Sequence, residues 1–281
     1  MKLFFLKSLF ISFFIITFFS YAYDRKVELP IVIVTASYNN KQWYEWQLGS
    51  VFAQKYDNFR LIYIDDCSQD GTGDLVEQWI KDNRVEDRVT LIRNKTRREH
   101  LANQYDAIHN YTDSDDIIVI CDGDDWFYFD GVLQRVNEAY QNGAWITYGQ
   151  FWYWKKDRKG FCREVPKDVL MDGTIRQFRP WRTSHLRTFY SGLFKKIKVD
   201  DLLYENKFFP MSADVAAMLP MLEMAAERAV FIPDVLYIYN DGNSLNFYHD
   251  HRLEQLKLEN EIRSRMPYKR VDADKPYHCL S

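Results

Sequence analysis

Cysteine is scarce, with four in 281 residues and no pair at CxxC spacing, so neither a disulfide scaffold nor a cysteine-bound zinc module organises this chain. Glycine and proline are also few, at 11 and 8, which excludes collagenous and low-complexity architectures. No charge of one sign dominates: 37 basic residues face 40 acidic ones, a net of −3. The basic field that a general nucleic-acid binder needs is therefore missing. No long apolar run follows residue 22. What the chain has is apolar and aromatic substance, 47% and 17% respectively, enough to bury a large core in one domain or in a domain with an appended part.

The first 22 residues stand apart. Lys2 and Lys7 precede an apolar stretch from Leu9 to Phe19, then the small residues Ser20 and Ala22, with no acidic residue before Asp24. This is the pattern of an export signal. The stretch falls short of the ~20 apolar residues that span a bilayer, and counting residues 3–6 brings an uncleaved anchor within reach. Either reading sends the remainder out of the cytoplasm, to an exported, lumenal or membrane-anchored position.

From residue 30 the chain alternates buried-strand runs with amphipathic ones. Strands are expected at 31–36 (IVIVTA), 59–64 (FRLIYI), 89–92, 117–121 (IIVIC), 145–148 and 230–239. Helices are expected at 41–54, 72–83, 98–110, after residue 131, at 215–229 (with Pro220 inside) and at 252–265. Strands separated by helices of about a dozen residues imply right-handed crossovers and a mainly parallel sheet flanked by helices, an α/β Rossmann-type fold. Residues 151–191 are aromatic and basic without a clear period, and read as loops and short elements packed on the sheet. The resulting division is 23–150 as the α/β half, 151–265 as a smaller half of the same domain, and 266–281 as a tail.

Polarity is concentrated where strands end. Ser37-Tyr38-Asn39, Asp65-Asp66 and Asp122-Gly123-Asp124-Asp125 each directly follow an apolar strand. In an open parallel sheet those ends share one edge, and ligands bind there. Carboxylates crowded as in Asp122, Asp124 and Asp125 repel one another and call for a cation. All-oxygen ligands favour Mg2+ or Mn2+ over zinc. Gly123 permits close backbone approach. An isolated DxD is more often a helix-capping turn; the strand before it and the two companion sites favour the cation. Asp70-Gly71-Thr72 is a good helix start, but helix capping leaves the adjacent acids Asp65 and Asp66 unexplained.

In this order, IVIVTASYNN, IYIDDCSQDGT and VICDGDDW resemble a family-2 glycosyltransferase with the GT-A fold. The likeness is clearest over residues 30–150 and looser through FYSGLFKKI, MSADVAAMLPMLEMA and VLYIYNDGNSLN. The resemblance implies inverting transfer of a sugar from a nucleotide-diphosphate donor, UDP by family habit, to a hydroxyl acceptor on a glycan, lipid or protein. Thr35, Ala36, Tyr38, Asn39 and Asp66 would then line the nucleoside site. Asp122, Gly123 and Asp124 would form the DxD element that meets cation and diphosphate. Asp214 falls where the family places its catalytic base, although the usual Glu-Asp pair reads Ala213-Asp214 here. Asp214 reads equally well as an N-cap of the helix over 215–229.

Arg93, Arg97, Arg98 and Asn103, after the third strand, could meet phosphate or base or form a solvated loop. Trp181, His185, Arg187 and Tyr190 could shape the sugar or acceptor pocket. His249 or His251 could add a nitrogen ligand. The QxxRW signature of processive synthases is absent from the sequence, which points to a non-processive enzyme. Two other classes compete. A nucleotidyltransferase would want a Gly- and Arg-rich loop after the first strand, which TASYNN does not supply. A non-catalytic carbohydrate- or nucleotide-binding protein on a degenerate transferase fold would keep the sheet while losing the acids.

Overall fold

The computed structural model describes residues 27–243 and 252–277. The expected signal or anchor at 1–22, and His249 and His251, lie outside the described residues. Among those described, no helix is long and apolar enough to cross a membrane.

The elements run β1 (Ile31–Ser37), α1 (Tyr44–Phe52), β2 (Phe59–Asp65), α2 (Thr72–Asn83), β3 (Val89–Arg93), α3 (His100–Tyr111), β4 (Ile117–Ile120), β5 (Trp126–Phe127), α4 (Val132–Gln141), β6 (Ile146–Tyr153) and β7 (Arg158–Lys159). They continue with α5 (Lys167–Met171), β8 (Arg187–Tyr190), α6 (Ser191–Phe194), β9 (Leu203–Tyr204), β10 (Lys207–Phe208), α7 (Ala213–Ala225), β11 (Ala229–Tyr239) and α8 (Arg252–Ser264).

One sheet carries the fold, in the order β3-β2-β1-β4-β8-β6-β11-β5, with β7 on the flank of β6. β3, β2, β1 and β4 are mutually parallel, and β6 is parallel to β11. Ile31, Val32, Ile33 and Val34 are all buried, as are the four residues of β4. This is why these strands read as unbroken β-branched runs: helices cover both faces.

β8 corrects the reading of 151–191 as elements packed on the sheet. It lies within the sheet, antiparallel to β4 and to β6. Its four residues, RTFY, are too short for a period to show, and its buried Arg187 disguises it as polar. β6 also runs on to Tyr153, past the expected end at 148.

α7 is buried nearly all round, Pro220 included. An interior ion pair fixes it to the segment that follows α5. Arg176 donates Nε to Glu223 Oε1 at 2.6 Å and Nη2 to Oε2 at 2.9 Å, and the two side chains are 2% and 0% exposed. The remaining polar capacity is used by neighbours: Arg176 Nη1 donates to the Ile262 carbonyl at 2.6 Å, and the Tyr268 N–H donates to Glu223 Oε2 at 2.9 Å. Such a pair tolerates burial only when its hydrogen bonds are complete.

Candidate active site

The strand ends meet as the topology requires. β1 and β2 run in register so that Ser37 lies opposite Asp65. Just beyond, the Asp66 N–H donates to the Ser37 carbonyl at 2.8 Å, and the Gly123 N–H donates to the Ala36 carbonyl at 3.3 Å. Three segments distant in sequence thus share one edge of the sheet. A Cβ on Gly123 would stand 2.6 Å from Ser37 Cβ and 2.8 Å from Asn40 Nδ2, so glycine is what lets the acidic turn lie against β1.

The two loops on the nucleoside side are tied to each other. The Asn39 N–H donates to Ser68 Oγ and the Gln69 N–H to Asn39 Oδ1, at 2.9 and 2.8 Å. The Asn40 N–H donates to Thr72 Oγ1 at 2.9 Å and the Lys41 N–H to Asp70 Oδ2 at 3.0 Å. Thr35 departs from expectation. It is fully buried, with its hydroxyl accepting from Gln47 Nε2 at 2.9 Å, which directs it into the packed interior and away from the crevice.

Asp66 is spent on the protein itself. Its Oδ1 accepts from Asn94 Nδ2 at 2.8 Å and from the Arg98 N–H at 2.9 Å, and its Oδ2 accepts from the Glu99 N–H at 2.8 Å. Burial acts to raise its pKa, but these donors, with Asn103 beside them, outweigh burial and hold it below the usual carboxylate range. Asn103 accepts from Asn94 Nδ2 at 2.7 Å in the same knot. Glu99 takes φ 67°, a backbone state that a non-glycine residue keeps only where its surroundings impose it. Nearby, the Arg97 guanidinium lies 4.1 Å from the centre of the Tyr38 ring. Arg93 turns away to pair with Asp74 at 2.7 Å.

The acidic turn holds three carboxylates in three different environments. Asp122 Oδ1 lies 3.1 Å from His100 Nε2, and its Oδ2 accepts from Arg187 Nη2 at 3.2 Å. Burial acts to raise its pKa, but the charges of His100 and Arg187 dominate and hold it well below the usual range. Asp124 accepts from Asn243 Nδ2 at 2.7 Å. Burial, joined by the charge of Asp122, pushes it up to about 6 despite that bond. Asp125 is 1% exposed and accepts from the Asn240 N–H at 2.7 Å. Burial and its two acidic neighbours raise its pKa well above the usual value.

His100 and Asn243 give no sequence signal that ties them to the acids. Arg187 and His185 were legible only as pocket candidates. The His185 ring stacks on Tyr237 at 4.6 Å and 2°. Burial, with the Arg187 charge, lowers its pKa to about 3, so the imidazole is neutral at pH 7.

Asp122, Asp125 and His185 each offer a ligand atom, all within 4.8 Å of one another. His185 Nδ1 is shut off from solvent and lacks a hydrogen-bond partner, while Asp122 Oδ1, equally shut off, meets only His100. An unused buried imidazole nitrogen beside two carboxylates fits a small divalent cation. The grouping differs from the expected Asp122–Asp124 pair in that Asp124 is turned to Asn243.

Asp214 lies in the first turn of α7, where the helix dipole favours negative charge. The cap position falls to Ser212, two residues earlier, so Asp214 is not the N-cap. Trp181 Nε1 donates to Asp214 Oδ2 at 3.3 Å. Asp214 is also close enough to Arg187 for its charge to act on that guanidinium. Through Arg187 it borders the site of Asp122.

The fold and this edge define a GT-A-like transferase architecture. The family model for glycosyl transferase family 2 matches residues 32–203, and the chain belongs to that family. Over 221 residues it is 24% identical to the glycosyltransferase GlyG of Streptococcus pneumoniae, covering 74% of this chain and 70% of that protein. TuaG and EpsE, two Bacillus subtilis proteins that carry a glycosyltransferase name, are 34% and 32% identical over 64 and 95 residues. Those matches span 22% and 34% of this chain, and about a quarter and a third of the relatives, 24% and 33%.

Among solved structures, residues 1–349 of S. aureus TarS in complex with UDP-GlcNAc superpose with a TM-score of 0.59 at 15% identity, covering 83% of this chain and 66% of that one. The mannosyltransferase PcManGT from Pyrobaculum calidifontis, in complex with GDP-Man and Mn2+, gives 0.59 at 19% identity, covering 86% and 66%.

Proposed function

We propose that this chain transfers a glycosyl group from a nucleotide-diphosphate sugar, with UDP as the expected nucleotide, to an acceptor hydroxyl, with inversion, one sugar at a time. The observation that carries the reading is the junction of Ala36, Ser37, Asp66 and Gly123 at one sheet edge, in a member of a family whose named relatives are glycosyltransferases. Tyr38, Asn39 and Asp66 border the nucleoside end of that edge, and Asp122 and Asp124 the diphosphate end. Asp122 and Asp124 would hold Mn2+ or Mg2+, with Asp125 and His185 in reach of Asp122. When bound, such an ion supplies positive charge where the departing diphosphate accumulates negative charge.

The chain's own residues do the remainder. Asp214 accepts the proton of the acceptor hydroxyl as that oxygen attacks the anomeric carbon on the face opposite the diphosphate. The bond from the anomeric carbon to the phosphate oxygen breaks, and the nucleoside diphosphate leaves with the electron pair. Trp181 fixes the carboxylate of Asp214 by its indole N–H. The buried Arg187 holds Asp122 ionised and adds a fixed positive charge between the two acids. The acceptor is a hydroxyl of a glycan, lipid or protein.

Residues 1–22 support placement outside the cytoplasm or at a membrane. Fractionation of the full chain against one lacking those residues tests this, and an unchanged distribution refutes it. The enzymatic reading is tested by incubating the full chain with Mn2+ and a panel of nucleotide sugars and measuring released nucleotide. Release from at least one donor, reduced by more than tenfold in Asp214→Ala when acceptor is present, is expected. No release from any donor contradicts it.

A further inference from the structure

Four of the eight tryptophans of the chain gather at one place beside the acidic turn. Trp43 and Trp126 stack at 6.4 Å and 24°. Trp154 stands nearly perpendicular to both, at 5.4 Å and 75° from Trp43 and at 5.7 Å and 74° from Trp126. Trp46 closes the group, 5.2 Å from Trp126 and 6.4 Å from Trp154. Trp126 is buried, but Trp46 and Trp154 are 54% and 40% exposed. Core packing accounts for the inner pair and leaves the outer two unexplained.

Their position is informative. Trp126 directly follows Asp125. Trp154 lies against Gly242, where an added Cβ would stand 3.1 Å from its ring, and the next residue, Asn243, donates to Asp124. From this continuity we infer that the tryptophan corner is a saccharide-binding subsite that seats the sugar of the acceptor next to the reacting groups. The inference rests on the glycosyltransferase reading above.

The chemistry suits a pyranose. The indole face is electron-rich, and the axial C–H bonds of a sugar ring carry slight positive charge, so ring face and sugar face attract while the hydroxyls stay in contact with water. Rings set at right angles make a corner that takes one sugar by its face and edge, where a bilayer would favour side chains projecting together with surplus basic charge. Of the basic side chains beside the corner, Lys156 is paired, its Nζ 3.5 Å from Asp241.

The test is direct binding, independent of turnover. Cellotetraose, chitotetraose and maltotetraose are titrated into the full chain, followed by tryptophan fluorescence and by saturation-transfer NMR, with UDP and Mn2+ affinity measured in parallel. At least one tetrasaccharide should bind, and Trp46→Ala and Trp154→Ala should each weaken it by about tenfold, leaving UDP affinity within twofold of wild type. Trp154→Phe keeps an aromatic face and should recover most of the loss. Wild-type-like saccharide binding in both alanine variants overturns the subsite. So does binding of phosphatidylglycerol vesicles with no tetrasaccharide binding, which assigns the corner to lipid. Failure of UDP to bind wild type counts instead against the transferase reading.

Discussion

Replacing Gly123 by alanine adds one methyl group where the acidic turn crosses the end of β1. That carbon would lie 2.6 Å from both Cβ and Oγ of Ser37, about 1 Å inside ordinary carbon contact. Ser37 cannot retreat cheaply. It is 2% exposed, its carbonyl accepts from the Asp66 N–H at 2.8 Å, and its hydroxyl accepts from Asn40 Nδ2 at 3.0 Å. The turn must move instead, carrying Asp122 and Asp124 away from the crevice by about the same distance. Overpacking of this size costs about 1–3 kcal/mol of stability, and a displacement near 1 Å at reacting groups costs about 100-fold in rate. Urea unfolding followed by tryptophan fluorescence measures the first, and nucleotide release from a nucleotide sugar the second. Gly49→Ala is the control: it lies in α1 with nothing within 4 Å of the added carbon and should gain about 0.5–1 kcal/mol. Gly123→Ala with wild-type midpoint and wild-type release would refute the reasoning.

Glu223→Ala leaves Arg176 charged and buried without its partner, so the urea midpoint should fall by the equivalent of about 3–5 kcal/mol, and a loss below 1 kcal/mol contradicts the clamp assigned to this pair. Asp124 gives a pH signature. Its pKa is about 6 in the fold against 3.8 ordinarily, so between those values the folded state holds the extra proton. Stability of the cation-free protein should therefore decline as pH rises from about 4 to 6. Asp124→Asn should flatten that decline in urea midpoints taken at pH 4.5 and 7; an unchanged slope counts against the assigned environment.

The parallel half of the sheet was legible because strands covered on both faces cannot hide: IVIVTA, FRLIYI and IIVIC have no polar residue to disguise them, apart from the Arg60 and Thr35 side chains. The edge followed from topology, since polar residues just after parallel strands must converge. β8 was not legible. RTFY is short, antiparallel and carries an arginine whose burial depends on Asp122, 65 residues away. The partners of the acids, His100 and Asn243, were invisible for the same reason, as such pairings are set by folding and not by spacing. Thr35 shows the converse: its motif position suggests a ligand contact, but strand alternation turns its hydroxyl to Gln47. Asp66 was found by position, and its use in fixing the Asn94–Glu99 segment was not.

The central claim is that the aspartates of the acidic turn and the loops after β1 and β2 make one cation-dependent nucleotide-diphosphate site. Calorimetric titration of UDP into the full chain tests it most directly, run with Mn2+, with EDTA, and with Asp124→Ala in Mn2+. Binding that needs Mn2+ and is lost in the variant is the predicted result. Binding of equal strength in all three arms, or none in the first, contradicts it.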